Sequence, residues 1–586
     1  MATDNLLTGI FDIEKNHFDV SLTRTEIKWI PIEEKHRFIN IFQSKSTFTK
    51  LNLHQVFGVK VKRRVKVGSH TGYPLGVAVF YRKRDERKKD VLLLRCSNEE
   101  ICQQWRKAIN DIVKDFPERP KKLNVIIHED NSRAENVYRR KVQQLFEYAN
   151  IIVQIVYSSR YNIDNKFQEM QLKDIDGIVC IGDDGYISDC INVILKQAQC
   201  DAGVDTKNIN FSPARCLLPI GIISTGPLDI ISSSSCGSSD PVQTALNIIF
   251  GDMQALDACS LYYDGQFQQF CFTALSGFYS DCIKKQKWPV LIKNKYTVAA
   301  KSLVNLGDND YTIEFLPRWD LVARRDTSPC RTRCKHCSAV EDYQVLHGNT
   351  FSTIYKNKET LVEVPNHVKK IQVRSRTPDQ PHASKSAWLN VNTSIPRVQS
   401  SPNFPCVDTV DPVLLPNPVA TPPELPLQSP PSSHLQCSGI ASAMPHESIT
   451  GSGSDNTWHT VNGSYLSIGL FIVPGICNIV PNYGLSPYTH IADSNADLVV
   501  VQTTTKTNFL HHLRKYNTNK DPFDFPFINV YRVKAVRISS SSPVDWSIDG
   551  HVIQKNNIEI RAHHQLLAVF SSGISQTRHV TQDVST

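Results

Sequence analysis

Along this chain the spacing of apolar residues changes period several times. From residue 35 to 115 apolar and polar positions alternate, as in VFGVKVKRRVKVGS, LGVAVFYRKR and DVLLLRC, which is the period-two signature of half-buried strands. A single helix closes this stretch. Ser97 and Glu100 form a capping box, and Ile101, Trp105, Ala108, Ile109 and Ile112 share one face. From Leu123 short apolar runs and helical periodicity take turns: LNVIIH, a helix from Ser132, IIVQIVY, and then DGIVCIGDDGYISDC, Asp176 to Cys190. In that last segment Ile178, Val179, Cys180 and Ile181 read as a strand buried on both faces. After it, Ile187, Ile191, Ile194, Leu195 and Ala198 line one face of a helix. CLLPIGIIS and a helix near Pro241, capped by Asp240, complete the series. Repeated strand–helix units predict a parallel sheet covered on both faces. Strand-like sequence dominates from about Leu256 to Arg324 and resumes at Trp458. Between these, residues 375–456 are rich in Pro, Ser, Thr and Asn and read as a disordered insertion.

Length and charge sharpen this picture. A chain of 586 residues is too long for one core. Several strands followed by one tryptophan-bearing amphipathic helix is the layout of a pleckstrin-homology-like domain. The expected organisation is therefore α/β plus β: 1–117, a PH-like membrane-binding domain; 118–255, an α/β lobe; 256–374, the first part of a β-rich lobe; 375–456, the insertion; and 457–586, the rest of the β-rich lobe and the tail. A net charge of +8 is mild for this length and does not point to nucleic acid. The positive charge is clustered, however, at Lys60, Lys62, Arg63, Arg64 and Lys66 and at Arg82, Lys83, Arg84, Arg87, Lys88 and Lys89. Such clusters serve either as a solvated strand face or as a surface for anionic lipid headgroups. The amino terminus lacks the layout of a signal peptide, and YLSIGLFIVPGICNIV is too short and too interrupted by Pro474 to span a bilayer. The expected location is cytoplasmic with peripheral membrane association. The 16 cysteines are then mostly reduced. The Gly-Asp-Asp-Gly turn has two readings at this level: a phosphate-facing turn of a ligand crevice, or an ordinary connection in which Asp183 and Asp184 cap the helix.

Several segments together resemble the ceramide kinases and their kinase-like relatives, within the diacylglycerol and sphingosine kinase superfamily. DGIVCIGDDGYISD is similar to that family's DGIVCVGGDG segment and IGIISTGPLDI to its IGIIPAGSTD. GDMQALD, GFYSD, CRTRCKHC, NYGLSP, FDFPFINVYRVK and DWSIDGHV follow in the same order. The resemblance implies a diacylglycerol-kinase-type catalytic α/β lobe, a β-rich second lobe over the lipid, ATP and Mg²⁺ as cofactors, and ceramide or a related sphingolipid as acceptor. It implies Asp184 as the catalytic residue, a general base or metal-linked acid; Gly182, Gly185, Gly226, Asp229, Asp549 and Gly550 around the nucleotide; and Asp281 on the substrate side. Cys330, Cys334 and Cys337 form a CxxxCxxC pattern that either holds zinc, with His336 or Cys477 as the fourth ligand, or is a set of reduced thiols.

This chain also departs from the family pattern. Where the family carries a GGKG-type loop, the sequence reads IIHEDNSRAENVY, without glycine; Glu129, Asp130 and Glu135 bring negative charge, opposed by Arg133. GGDG has become Gly182-Asp183-Asp184-Gly185, PAGST has become Ser224-Thr225-Gly226-Pro227-Leu228, and the carboxylate that ends DGE is replaced by His551. The expected function is ATP-dependent phosphorylation of the ceramide primary hydroxyl, to ceramide 1-phosphate, with impaired nucleotide handling. The alternative is an inactive, kinase-like (pseudokinase) protein that binds lipid or membrane.

Overall fold

A computed structural model describes residues 5–14, 16–32, 49–64, 72–83, 88–170, 172, 174–284, 307–317, 329–332, 334–338, 362–363, 457–478, 484–486, 488–516 and 521–574. The proposed insertion, 375–456, lies outside these residues, as do Lys66, Arg84 and Arg87.

Strands begin earlier than the alternating pattern from residue 35 announces. β1 (Leu7–Ile13), β2 (Asn16–Leu22), β3 (Glu26–Pro31) and β4 (Thr49–Asn52) form one antiparallel meander, and β5 (Val56–Arg64), β6 (Tyr73–Arg82) and β7 (Lys89–Leu94) form a second. Helix α1 (Glu99–Lys114) closes the module. Its cap is not the expected Ser97–Glu100 box. Asn98 has extended backbone, and its side chain accepts a hydrogen bond from Ile101 N, while Glu99 beside it pairs with Arg63. The buried stripe is accordingly Cys102, Trp105, Ile109 and Val113; Ala108 and Ile112 flank it half-buried, and Ile101 is exposed. Trp105 meets Phe11 edge-on, with ring centroids 4.9 Å apart.

The α/β region starts with β8 (Lys122–His128), α2 (Ser132–Val137), a π-helical turn at Tyr138–Val142, and α3 (Gln143–Tyr148). β9 (Ile152–Ser158), α4 (Ile163–Glu169), β10 (Gly177–Gly182), α5 (Asp184–Asp201), β11 (Arg215–Cys216), β12 (Ile220–Ser224), α6 (Ile230–Cys236) and α7 (Pro241–Phe250) follow. β9, β8, β10 and β12 lie side by side and parallel, as the repeated strand–helix units predict. All of β10 is buried. Ile178 and Cys180 pack with Ile187, Ile191 and Ile194 of α5 on one face, and Val179 and Ile181 pack with Leu145, Ala245 and Ile249 on the other. Alternation across a two-sided strand therefore separates two cores.

The strands of the β-rich lobe continue this sheet. β13 (Met253–Tyr263), β14 (Gln266–Cys271), β15 (Thr273–Gly277), helix α8 (Phe278–Lys284), β16 (Asn309–Pro317), β17 (Val362–Glu363), β18 (His459–Phe471), β19 (Ala496–Gln502), β20 (Ile528–Ile548) and β21 (His551–Phe570) follow in chain order. Among the described residues a twelve-stranded sheet runs unbroken through both lobes. Its join is at β21, where Val569 pairs in parallel with Ile220 of β12 and Phe570 is buried in the core of the α/β region. The end of β21 thus completes the sheet of the α/β region rather than belonging only to the β-rich lobe. Among the described residues no helix is long and apolar enough to cross a membrane.

Candidate functional site

The carboxyl ends of β8, β10 and β12 open into three turns that face one another, the position where open α/β sheets bind ligands. Each turn leads into a helix, and each helix start is occupied by a side chain of this protein. Asn131 caps α2 by accepting from Arg133 N at 3.1 Å. Asp183 caps α5 by accepting from Tyr186 N at 3.0 Å. Asp184, the first residue of α5, reaches across to α6 and accepts from Ile230 N at 2.9 Å and Ile231 N at 3.2 Å. The turns are also latched together: Thr225 N donates to Gly182 O at 2.7 Å and Asn131 Nδ2 to Thr225 Oγ1 at 3.1 Å.

A fourth element enters from the β-rich lobe. Asp549-Gly550 is a two-residue hairpin turn between β20 and β21 with φ of 47° and 93°, the backbone for which Asp-Gly is favoured. It carries His551 into the site. His551 Nε2 lies 3.0 Å from Asp189 and 3.1 Å from Gly185 O, while Arg160 stands 3.4 Å from its Nδ1. These partners favour the tautomer with the proton on Nε2. The hydrogen bond to Asp189 holds the His551 pKa above the usual histidine value. Arg160 also pairs with Asp183 at 2.6 Å. His128, at the end of β8, stacks on Tyr186 with centroids 4.1 Å apart and planes 6° apart, and burial lowers its pKa. The Tyr186 hydroxyl meets Ser158 Oγ at 2.5 Å.

Most residues implicated by motif do converge here. A Cβ on Gly182 would fall on the Tyr186 ring. One on Gly185 would lie 2.7 Å from Arg160, one on Gly226 3.2 Å from both Asp183 and Asp229, and one on Gly550 3.7 Å from Gly185 N. Asp184 is half-buried as a residue, but its carboxyl is enclosed by the protein, and that burial, opposed by the two amides of α6, pushes it up to about 7. Asp229 sits at a left-handed φ of 57°, buried, accepting from Ser224 Oγ and, at 3.0 Å, from Asn478 Nδ2. Asp549 is buried with its carboxylate turned toward protein: Phe272 N, Thr273 N and Thr273 Oγ1 donate to it at 2.7–3.1 Å, and Ser188 Oγ at 2.9 Å. Asp281 stands on α8, which packs on β15, β18 and β20 of the β-rich lobe. Arg160, Asp189, His128, Tyr186 and Asn478 carry the site's ion pairs, stack and latches; Arg160 and Asn478 lie outside the matched motifs, and Asp189, His128 and Tyr186 lie within quoted segments without being singled out. Asp189 sits on the polar side of a helix identified by its apolar side, and Arg160 on a loop after β9.

The residues present do not fit a Mg²⁺-bound triphosphate in the usual way. The β8–α2 turn offers His128, Glu129, Asp130 and Asn131 in place of glycine amides, and the Asp183 carboxylate, held by Arg160 and the α5 start, stands on the phosphate side. The basic hairpins are also partly engaged. Arg82 is engaged within the protein: it bridges to Asp252 of the α/β region at 2.5 Å and lies 4.0 Å over the Phe250 ring. Arg63 pairs with Glu99 and Lys83 with Asp90, whereas Lys60, Lys62, Arg64, Lys88 and Lys89 are exposed.

The cysteine motif forms a separate cluster. Cys330, Cys334 and Cys337 are brought together, and the fourth residue beside them is His490, not His336 or Cys477. His336 instead lies ring-to-ring with His490, centroids 4.5 Å apart.

Two family models match the chain: the diacylglycerol kinase catalytic domain over residues 122–261 and the ceramide kinase C-terminal domain over residues 433–545. A ceramide kinase-like protein of Homo sapiens is 22% identical over 628 aligned positions, which cover 97% of this chain and 91% of the relative. Ceramide kinases of Homo sapiens and Mus musculus are 25% and 24% identical, covering 82% of this chain and 79% and 80% of their own lengths.

Proposed function

The chain belongs to the ceramide kinase family of lipid kinases, and from that premise we propose that it binds ceramide or a related sphingolipid at an anionic membrane surface while its handling of ATP is impaired. One observation carries the second half. All three helix starts at the nucleotide end of the sheet are capped by the chain's own side chains, Asn131, Asp183 and Asp184, so the amides best placed for a phosphate already have acceptors. A phosphate arriving there has to displace carboxylates from charge-assisted bonds and approach Glu129 and Asp130 as well. Membrane attachment rests on the seven strands and closing helix of the N-terminal module, a pleckstrin-homology-like reading, and on exposed Lys60, Lys62, Arg64, Lys88 and Lys89.

A second reading is favoured by Asp184. By resemblance it stands at the family's acid position, at the start of α5, and burial raises its carboxyl to about 7, which suits a group that takes the proton from an attacking lipid hydroxyl. In this reading the chain transfers phosphoryl from ATP to the ceramide primary hydroxyl slowly, and Asp184 is its base.

The full chain should be assayed for sedimentation with ceramide-containing anionic vesicles, for saturable ATP binding with Mg²⁺, and for ceramide 1-phosphate formation from labelled ATP. Vesicle binding without saturable ATP binding below millimolar concentration is expected. Micromolar ATP binding with turnover in the ordinary enzyme range of about 1 s⁻¹ or more overturns the proposal. Slow turnover that Asp184→Asn abolishes selects the second reading.

A further inference from the structure

We propose that Cys330, Cys334, Cys337 and His490 form a closed structural zinc site that knits the cysteine loop to the segment following the insertion. The four candidate ligand atoms all lie within 4.8 Å of one another. A tetrahedral zinc with Zn–S bonds of about 2.3 Å needs sulfur–sulfur edges of about 3.8 Å. Cys330 Sγ and Cys337 Sγ are 3.8 Å apart. Cys334 Sγ and His490 Nδ1 are 3.1 Å apart, which places Nδ1 as the imidazole donor. Three sulfurs and one imidazole are a soft, four-coordinate set suited to zinc and unsuited to Mg²⁺ or Ca²⁺. The set is complete without water. Cys330, Cys337 and His490 are each no more than 3% exposed, so no open position is left for chemistry, and the site is structural. Arg331 and Lys335 in the same loop offset the net negative charge of three thiolates around a divalent cation.

The position of the ligands says what the ion does. The three cysteines come from residues 330–337 and the histidine from residue 490, on opposite sides of the segment that includes the insertion. Thr332, between the first two cysteines, donates its N–H to Ile574 O at 2.7 Å and its hydroxyl to Ser572 O at 3.0 Å, just beyond β21. Next to His490, Ile491 O accepts from Asp257 N of β13 at 2.8 Å. The ion therefore pins three segments distant in sequence: the cysteine loop, the loop before β19, and the segment just after β21. The site is distinct from the Asp184 site and does not depend on whether ATP is turned over.

The test uses the full chain, purified in reducing, metal-free buffer and analysed by elemental mass spectrometry. About one zinc per chain is expected in the wild type, less than about a tenth as much in Cys334→Ser and His490→Ala, and an unchanged content in His336→Ala and Cys477→Ser. Because a ligand variant can misfold, Co²⁺ replacement supplies a second readout: tetrahedral d–d bands with sulfur-to-cobalt charge transfer in the wild type, and stronger charge transfer in His490→Cys, which preserves four ligands. No stoichiometric metal and no tetrahedral cobalt spectrum in the folded wild type overturns the site. Full zinc with an unaltered cobalt spectrum in His490→Ala, or charge transfer that does not rise in His490→Cys, overturns the assignment of His490.

Discussion

At the scale of single residues, Asp184 and His551 are each held by partners from other elements. Asp184 matches the family's acid by resemblance; its carboxylate caps another helix, and burial raises its pKa to about 7. The sign follows from linkage. A carboxyl whose folded pKa lies above its unfolded value stabilises the fold fully below the unfolded value, and that contribution is lost as pH rises toward 7. Asp184→Asn should therefore flatten the decline of melting temperature between about pH 4 and pH 7; an unchanged slope would show that Asp184 does not titrate there. By resemblance His551 stands where the family carries a carboxylate, which His551→Glu puts back. Its imidazole, however, is paired with Asp189, with Asp183 held nearby by Arg160. A glutamate there meets like charge, so His551→Glu should lower stability by about 1–2 kcal/mol in urea unfolding, and His551→Glu with Asp189→Asn should recover most of it.

At the scale of elements, the β20–β21 hairpin is the bridge between the lobes at the site. Its turn residue Asp549 holds Phe272 N, Thr273 N and the Thr273 hydroxyl of the β14–β15 junction and the Ser188 hydroxyl of α5. Removing this acceptor strands buried donors, each costing about 1–3 kcal/mol. Asp549→Ala should accordingly destabilise the chain by about 3 kcal/mol or more, measured by chemical denaturation, whereas Ser188→Ala should cost about 1 kcal/mol. A small effect of Asp549→Ala would mean that the carboxylate is turned toward a ligand after all. The same reasoning bears on rebuilding the β8–α2 turn. Glycines at Asp130 and Asn131 remove the α2 cap and the latch to Thr225, while the His128–Tyr186 stack and Asp183 stay in place.

At the scale of the whole molecule, the N-terminal module is fastened to the α/β region rather than tethered. Arg119 donates to Val56 O at 2.6 Å and His54 O at 2.9 Å, Phe80 stacks on Tyr148 at 4.4 Å, and a Cβ on Gly58 would collide with the Tyr148 carbonyl. Arg82 adds its ion pair with Asp252, with both side chains only about a quarter exposed. Arg82→Ala should increase protease cutting at the junction after α1 several-fold while leaving vesicle binding unchanged; a loss of vesicle binding with unchanged proteolysis would return Arg82 to the membrane surface.

Sequence alone determined the local elements and the motif order. Buried runs and helical stripes locate β8 to α7 because a strand covered on both faces and a helix covered on one leave periods that survive in one dimension. The Gly-Asp-Asp-Gly turn is legible because it separates a buried apolar run from a helical stripe, and its glycines stand where a Cβ would meet Tyr186 and Arg160. The shifted face of α1 was not legible, because Asn98 and Ser97 are both good caps and only packing chooses between them. Partners across the chain were not legible either. Arg160 with Asp183, His551 with Asp189, Arg82 with Asp252 and His490 with the cysteines join residues separated by as many as 362 positions, and no local pattern encodes those distances. Tertiary structure decided them, because a side chain's role is set by the charges and donors that folding brings within about 4 Å of it, and folding brings them from anywhere in the chain.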